Sequence, residues 1–151
     1  MRRFERLAGL QALVGQEIGV GDWIVVDQAR IDRFADATGD HQWIHVDPRR
    51  AAAGPFGTTI AHGFLTLALL PQMTDAAYEI GDSPLGVNYG LDRVRFPAPV
   101  PVGSRLRGHF KLLSFEPIEG GAQLVVEVTI ERDGSAKPVC VAQAIVRRFV
   151  A

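Results

Sequence analysis

The second half of the chain repeats with a period of two. In residues 104 to 112, Leu106, Phe110 and Leu112 alternate with Arg105, Arg107, His109 and Lys111. In residues 123 to 131, Leu124, Val126, Val128 and Ile130 alternate with Gln123, Glu127, Thr129 and Glu131. Successive strand side chains point to opposite faces, so each run predicts a strand with one buried and one wetted face. Glu119-Gly120-Gly121 between the runs and Asp133-Gly134 after them carry hairpin-turn chemistry. Residues 138 to 150 stay apolar on both faces until Arg147 and Arg148, as a more central strand would. Residues 85 to 96 predict another strand, ended by PAPVPVG, whose prolines cannot donate to a ladder.

The first half is spaced for helices. Leu7, Leu10, Leu13 and Val14 share one face of a short helix over residues 4 to 14, and DWIVV at 22 to 26 reads as a strand. Asp27 is placed to cap a helix from Gln28 to about Thr38 that buries Ile31, Phe34 and Ala35, and Gly39 is placed to stop it. Asp47-Pro48 opens a further short helix ending near Gly54-Pro55. From His62 to about Ile80, apolar residues from Phe64 to Tyr78 surround most of the circumference. This predicts one long helix, buried on nearly all sides and kinked at Pro71.

A long apolar helix followed by antiparallel strands predicts an α+β fold, with a five- or six-stranded sheet curled around the helix. Such a sheet leaves edges exposed, and edge pairing into a homodimer would cover them. Neither a repeat nor a linker interrupts the chain, so residues 1 to 151 are expected to form a single domain.

Composition narrows the function. The residues are 47% hydrophobic and 22% charged, with 16 basic against 17 acidic and a formal net charge of −1. No basic footprint for nucleic acid appears. The longest apolar run, FLTLALL at 64 to 70, falls short of the roughly 18 residues that span a bilayer. Glu5 and Gln11 interrupt the N-terminal apolar pattern, so neither a signal peptide nor a membrane span is expected. The one cysteine, Cys140 in VCVAQAIV, reads as a buried structural thiol, consistent with a cytoplasmic protein.

Candidate chemistry concentrates in TGDHQWIHVD at 38 to 47. Asp40 follows the helix stop and His45 lies five residues on; if residues 42 to 46 are extended, Trp43 and His45 face one side. A carboxylate and an imidazole in a partly dry pocket suit adding or removing water across a double bond, which needs one proton delivered and one removed. The same spacing also fits an Asx-type turn at Asp40 with an ordinary loop histidine. A metal could use His41 and His45 with Asp40, Asp47 or His62. Gly39 and Pro48 argue against the continuous helix such a site would need, and no metal is expected. In TTIAHGFLTLALL at 58 to 70, His62-Gly63 opens the apolar helix, where first-turn amides lack partners and favour an oxyanion. The alternative is a plain helix start, with glycine chosen for packing.

Together, FADATGDHQWIHVDPRRAA at 34 to 52 and AHGFLTLALLP at 61 to 71 resemble the MaoC-like, (R)-specific enoyl-CoA hydratases of the hot-dog superfamily. The family pattern is met by Phe34, Gly39-Asp40, Ile44-His45 and Ala51, with Gln42-Trp43 standing where the family has Asn-Pro. The resemblance implies a hot-dog fold. It implies that Asp40 and His45 activate the water that attacks C3 of a trans-2-enoyl thioester, and that the Gly63 amide polarises the thioester carbonyl. It extends substrate binding to Gln42, Trp43, Ala61, His62, Asn88, Tyr89 and Arg93, with CoA or an acyl carrier as part of the substrate and no separate cofactor. Arg105, Arg107, His109 and Lys111 are expected to form a solvated strand face rather than a phosphate site. Two rivals remain open at this stage. Hot-dog thioesterases carry an acid on the central helix, where this chain has none before Asp75; the Gln42-Trp43 change raises an idle acyl-thioester binding module.

Overall fold

The structure, a computed structural model, describes residues 1–151. Strand β1 (Arg2–Phe4) and a 3-10 helix (Leu7–Leu13) lead into β2 (Glu17–Val20) and β3 (Ile24–Val26). Helices α1 (Gln28–Thr38), α2 (Trp43–Val46), α3 (Pro48–Ala52), α4 (Gly63–Ala68) and α5 (Leu70–Ala77) follow. The chain ends in β4 (Tyr78–Ile80), β5 (Leu85–Arg95), β6 (Ser104–Ile118), β7 (Gly121–Arg132) and β8 (Cys140–Phe149). No helix is long and apolar enough to cross a membrane.

The main sheet runs β2-β6-β7-β8-β5, with β3 pairing β6 beyond β2, and every pairing in it is antiparallel. The period of two behaves as read: Leu106, Phe110, Leu112, Leu124, Val126, Val128 and Ile130 are all buried on the face that meets the helices. Phe110 pairs with Val128 and Leu112 with Val126, so the large side chains stack across the β6–β7 hairpin. Gly120 closes that hairpin at φ 73°. The run at 138 to 150 becomes β8, which lies between β7 and β5 as its two-sided apolarity suggested.

The helix layer sits closely on the sheet because two glycines admit it. A Cβ on Gly19 would lie 2.8 Å from the Ala77 carbonyl oxygen, and one on Gly21 would lie 2.9 Å from that of Met73. Met73 and Ala77 thereby reach the core and pack with Ile18, Leu106 and Phe110.

Several expectations change. The helix over 62 to 80 is two helices meeting at Leu69, and its last turn is instead β4, paired in parallel with β1. Pro71, in the first turn of α5, has no amide with which to continue the α4 ladder. Within one chain the helix is not buried all round, since Phe64 is 71% exposed. The N-terminal helix over 4 to 14 is shorter and 3-10, with β1 before it, and the strand at 22 to 26 is preceded by the unforeseen β2. The basic row on β6 is paired as well as solvated: Arg105 meets Asp133 at 2.5 Å, Arg107 meets Glu131, and His109 meets Glu131 at 2.9 Å. His109 and Arg107 hold the Glu131 carboxyl below its usual range. Trp23 lies under Arg107 and Arg105, 4.4 and 5.2 Å from ring centre to guanidinium. Cys140 is buried, which pushes its thiol up to about 11 and leaves it unreactive.

The close helix approach predicts that Gly19→Ala, which forces backbone apart, costs about 1–3 kcal/mol. A thermal melt should show this as a loss of several degrees, with little change in the far-UV spectrum.

Candidate active site

The polar cluster forms where α1 stops. Asp27 caps α1 by accepting from the Arg30 amide at 2.8 Å, and Gly39 ends it at φ 79° with its amide donating to the Ala35 carbonyl at 2.8 Å. This sharp stop delivers Asp40. Its Oδ1 accepts from the Gln42 amide at 3.3 Å, an Asx-type turn that leads into α2.

Residues 43 to 46 are helical rather than extended, so the expected common face of Trp43 and His45 does not exist. At about 100° per residue, two positions apart point to nearly opposite sides. Trp43 turns toward α3, packing on Gly54 with the Arg50 guanidinium 4.4 Å over its ring. His45 turns inward and is 6% exposed. Trp43 is the first residue of α2, a position where the amide has no intrahelical acceptor. Proline is favoured there for the same reason, so tryptophan can replace it without losing a helix bond.

His45 is held from several directions. Its Nδ1 lies 2.6 Å from the Ile60 carbonyl oxygen. A carbonyl only accepts, so Nδ1 carries the proton and Nε2 presents a lone pair. The Ile60 amide returns a bond to the Ile44 carbonyl at 3.0 Å. The Gln28 side-chain amide donates to the His45 carbonyl at 2.8 Å, while its own oxygen accepts from the Thr59 hydroxyl at 2.6 Å. Burial pushes the His45 pKa below 6.5, helped by neighbouring His62; the Ile60 hydrogen bond and the Asp40 charge oppose this.

Asp40, His45 and His62 converge, with one potential ligand atom from each lying within 4.8 Å of the others. His41 does not join them, because its Nε2 pairs with Asp36 at 2.9 Å, which raises its pKa. The imidazoles of His45 and His62 are stacked, 3.8 Å apart and 22° from parallel. Imidazole lone pairs lie in the ring plane, so stacked rings do not aim them at a shared cation.

The other sequence candidates divide between two clefts. Ala61 and Gly63 line one of about 350 Å³ with Phe56, Phe96 and Val100. The Gly63 amide opens α4 without an acceptor in the chain. Asn88 and Tyr89 line a larger cleft of about 620 Å³ between α4–α5 and β5, β7 and β8. Asp40 and His45 line neither cleft within a single chain. Arg93 has the left-handed φ of 53° at a bulge in β5, and its side chain makes no hydrogen bond or ion pair within the chain. Gln42 is exposed, and the His62 ring is sealed between His45 and Phe34. The supports Gln28, Thr59 and Ile60 were missed in sequence because the bonds of Gln28 and Ile60 to His45, and of Thr59 to Gln28, span 15 to 31 residues.

Because folding lowers the His45 pKa, the unfolded chain binds that proton first as acid is added. The stability this group contributes is present above pH 6.5 and declines as pH falls below it. Side-chain nitrogen NMR should find His45 less than half protonated at pH 6.5, with its neutral form carrying the proton on Nδ1. A second expectation concerns Trp43: Trp43→Pro should keep the far-UV spectrum and this tautomer, while losing about 1–2 kcal/mol of indole packing in a denaturant melt.

Comparison with known proteins agrees with this architecture. Residues 10–135 match the family model described as the MaoC like domain. The chain is 57% identical over 148 residues to 3-hydroxyacyl-thioester dehydratase Z of Mycobacterium tuberculosis, covering 97% of this chain and 98% of that protein. It is 52% identical over 143 residues to nodulation protein N of Rhizobium leguminosarum bv. viciae, covering 92% and 88%. Among solved structures, an unliganded R-hydratase from Pseudomonas aeruginosa superposes with a TM-score of 0.72 at 23% identity, covering 91% of this chain and 83% of that one. An antiparallel sheet curved round a central helix, a matching family model and full-length relatives together place this chain in the MaoC-like dehydratase family of hot-dog hydro-lyases.

Proposed function

We propose that this dehydratase interconverts (R)-3-hydroxyacyl thioesters and trans-2-enoyl thioesters, with Asp40 and His45 handling the water. The observation that carries the reading is the fixed His45 tautomer: with Nδ1–H committed to the Ile60 carbonyl, Nε2 is a ready acceptor, on a ring with a nitrogen within 4.8 Å of an Asp40 carboxylate oxygen. In hydration, the pair holds a water molecule whose hydroxyl adds to C3 while one proton is delivered to C2. One proton leaves the water and one reaches carbon, so the pair returns to its starting state; dehydration runs the same transfers backward. The Gly63 amide would donate to the thioester oxygen as enolate charge develops there. Chemistry of this kind needs no cofactor besides the CoA or carrier portion of the substrate.

The active unit in this reading is a homodimer. Strand β5 is a free sheet edge of 11 residues, and Leu85, Val87, Tyr89 and Leu91 are exposed along it. Phe64 and the larger cleft lie open beside it. A second copy paired along β5 would cover this apolar surface and help wall in a water-activating pair that lines neither of the two clefts of one chain.

Purified protein added to crotonyl-CoA should remove the enoyl-thioester absorbance. Asp40→Asn and His45→Gln should each slow that loss by at least about 10²-fold, the usual scale for removing an acid–base group. Near-wild-type rates in both variants would overturn the assignment; release of free CoA thiol would indicate a thioesterase, and binding without turnover an idle module. Light scattering should give twice the chain mass, and Val87→Lys, which sets like charges along a paired edge, should shift the population toward monomer with loss of activity.

A further inference from the structure

His62 is 2% exposed, and the water-activating pair proposed above makes no direct chemical use of it. Its ring lies 3.8 Å from that of His45 and 5.0 Å from that of Phe34, centre to centre. Its Nε2 sits 3.0 Å from the Asp40 carbonyl oxygen and 4.0 Å from the Asp40 carboxylate. The carbonyl can only accept, so Nε2 carries the hydrogen and Nδ1 is left as a lone pair. That Nδ1 is buried and meets no donor. An unpaired buried acceptor is a cost to stability, which a phenylalanine in the same slot would avoid. An imidazole here is therefore poorly explained by stability. Three contacts explain it better: one to the main chain of Asp40, one to the face of His45, and its place as the residue preceding the Gly63 amide.

We propose that His62 is a positioning residue, whose Nε2–H fixes the Asp40 main chain and whose ring face fixes His45, holding acid, base and helix start in one geometry. It acts through the pair and the amide without touching the reacting atoms, and it rests on the reading of Asp40 and His45 given above. The stack also couples the two rings electrically, since two imidazolium ions at this separation repel. The charged or titratable groups acting on His45 are His62, which disfavours its protonation, and Asp40, which favours it. Gln28 from α1 and Ile60 from the segment before α4, which bond His45, are neutral, as are Thr59, which bonds Gln28, and Phe34, which packs on His62.

Two variants separate the parts of this role. His62→Phe keeps a flat ring against His45 but removes the donor to Asp40; His62→Gln keeps a donor at the Nε2 position but removes the ring. The Phe variant should melt no lower than the wild type, yet lose about tenfold or more in kcat on crotonyl-CoA with KM within about twofold, the pattern of lost positioning. The Gln variant should recover most of kcat, and its acid limb should move to higher pH. In both variants the His45 titration midpoint read by NMR should rise, because the repelling neighbour is gone. A Phe variant with wild-type kcat, or an unmoved His45 midpoint in both variants, would sink the proposal. If the wild type itself leaves crotonyl-CoA untouched, it is the reading of the pair that fails, and the NMR titration still decides whether the two rings are coupled.

Discussion

A single backbone carbonyl organises the polar cluster. Ile60 accepts the Nδ1 proton of His45 and returns its own amide to Ile44, so the segment before α4 and the loop after α1 are stitched together at the imidazole. The tautomer follows from that carbonyl, since an acceptor dictates which ring nitrogen keeps its proton. Everything around it serves to keep the stitch in place: the Gln28 and Thr59 side chains brace the His45 backbone, and the Ala61 amide anchors the next residue to the Val100 carbonyl at 2.8 Å. Few of these bonds involve a group of unusual chemistry. Their effect comes from burial, where an unpaired polar group is expensive and a paired one is therefore fixed.

The sheet and the cluster meet through the helix layer. Gly19 and Gly21 let α5 descend until Met73 and Ala77 join the core, which sets the height of α4 and of the His62-Gly63 start above the strands. The break at Leu69, imposed by Pro71, separates a deeply packed α5 from an α4 whose Phe64 points outward. That outward phenylalanine and the apolar edge of β5 belong to one open surface. In the proposed dimer this surface is what a second copy closes, so the same apolar pattern that builds one chain's core would finish the reaction chamber between two.

The Gln42-Trp43 departure from the family pattern has a local physical account. The tryptophan occupies the first position of α2, where a missing amide proton would cost nothing, and its indole fills space against Gly54 beneath Arg50. The backbone of the turn is set by Asp40, which accepts from the Gln42 amide, and by the Trp43 carbonyl, which accepts from Asp47 at 3.0 Å. Neither bond depends on proline at position 43.

Local pattern determined much of this protein. The alternation on β6 and β7, the hairpin glycine at 120, the Asp27 cap and the Gly39 stop each depend on neighbours a few residues away, and each was readable from sequence. The family resemblance, too, rested on one contiguous stretch and one helix start. Tertiary structure decided the rest. Spacing left residues 42 to 46 open to an extended reading, because four residues of helix carry too little periodicity to be recognised. The stack of His45 on His62, the Ile60 carbonyl that selects a tautomer and the β1–β4 pairing join positions 15 to 76 residues apart. Such contacts arise only when distant segments are packed together, and no pattern along the chain records which atoms will then face each other.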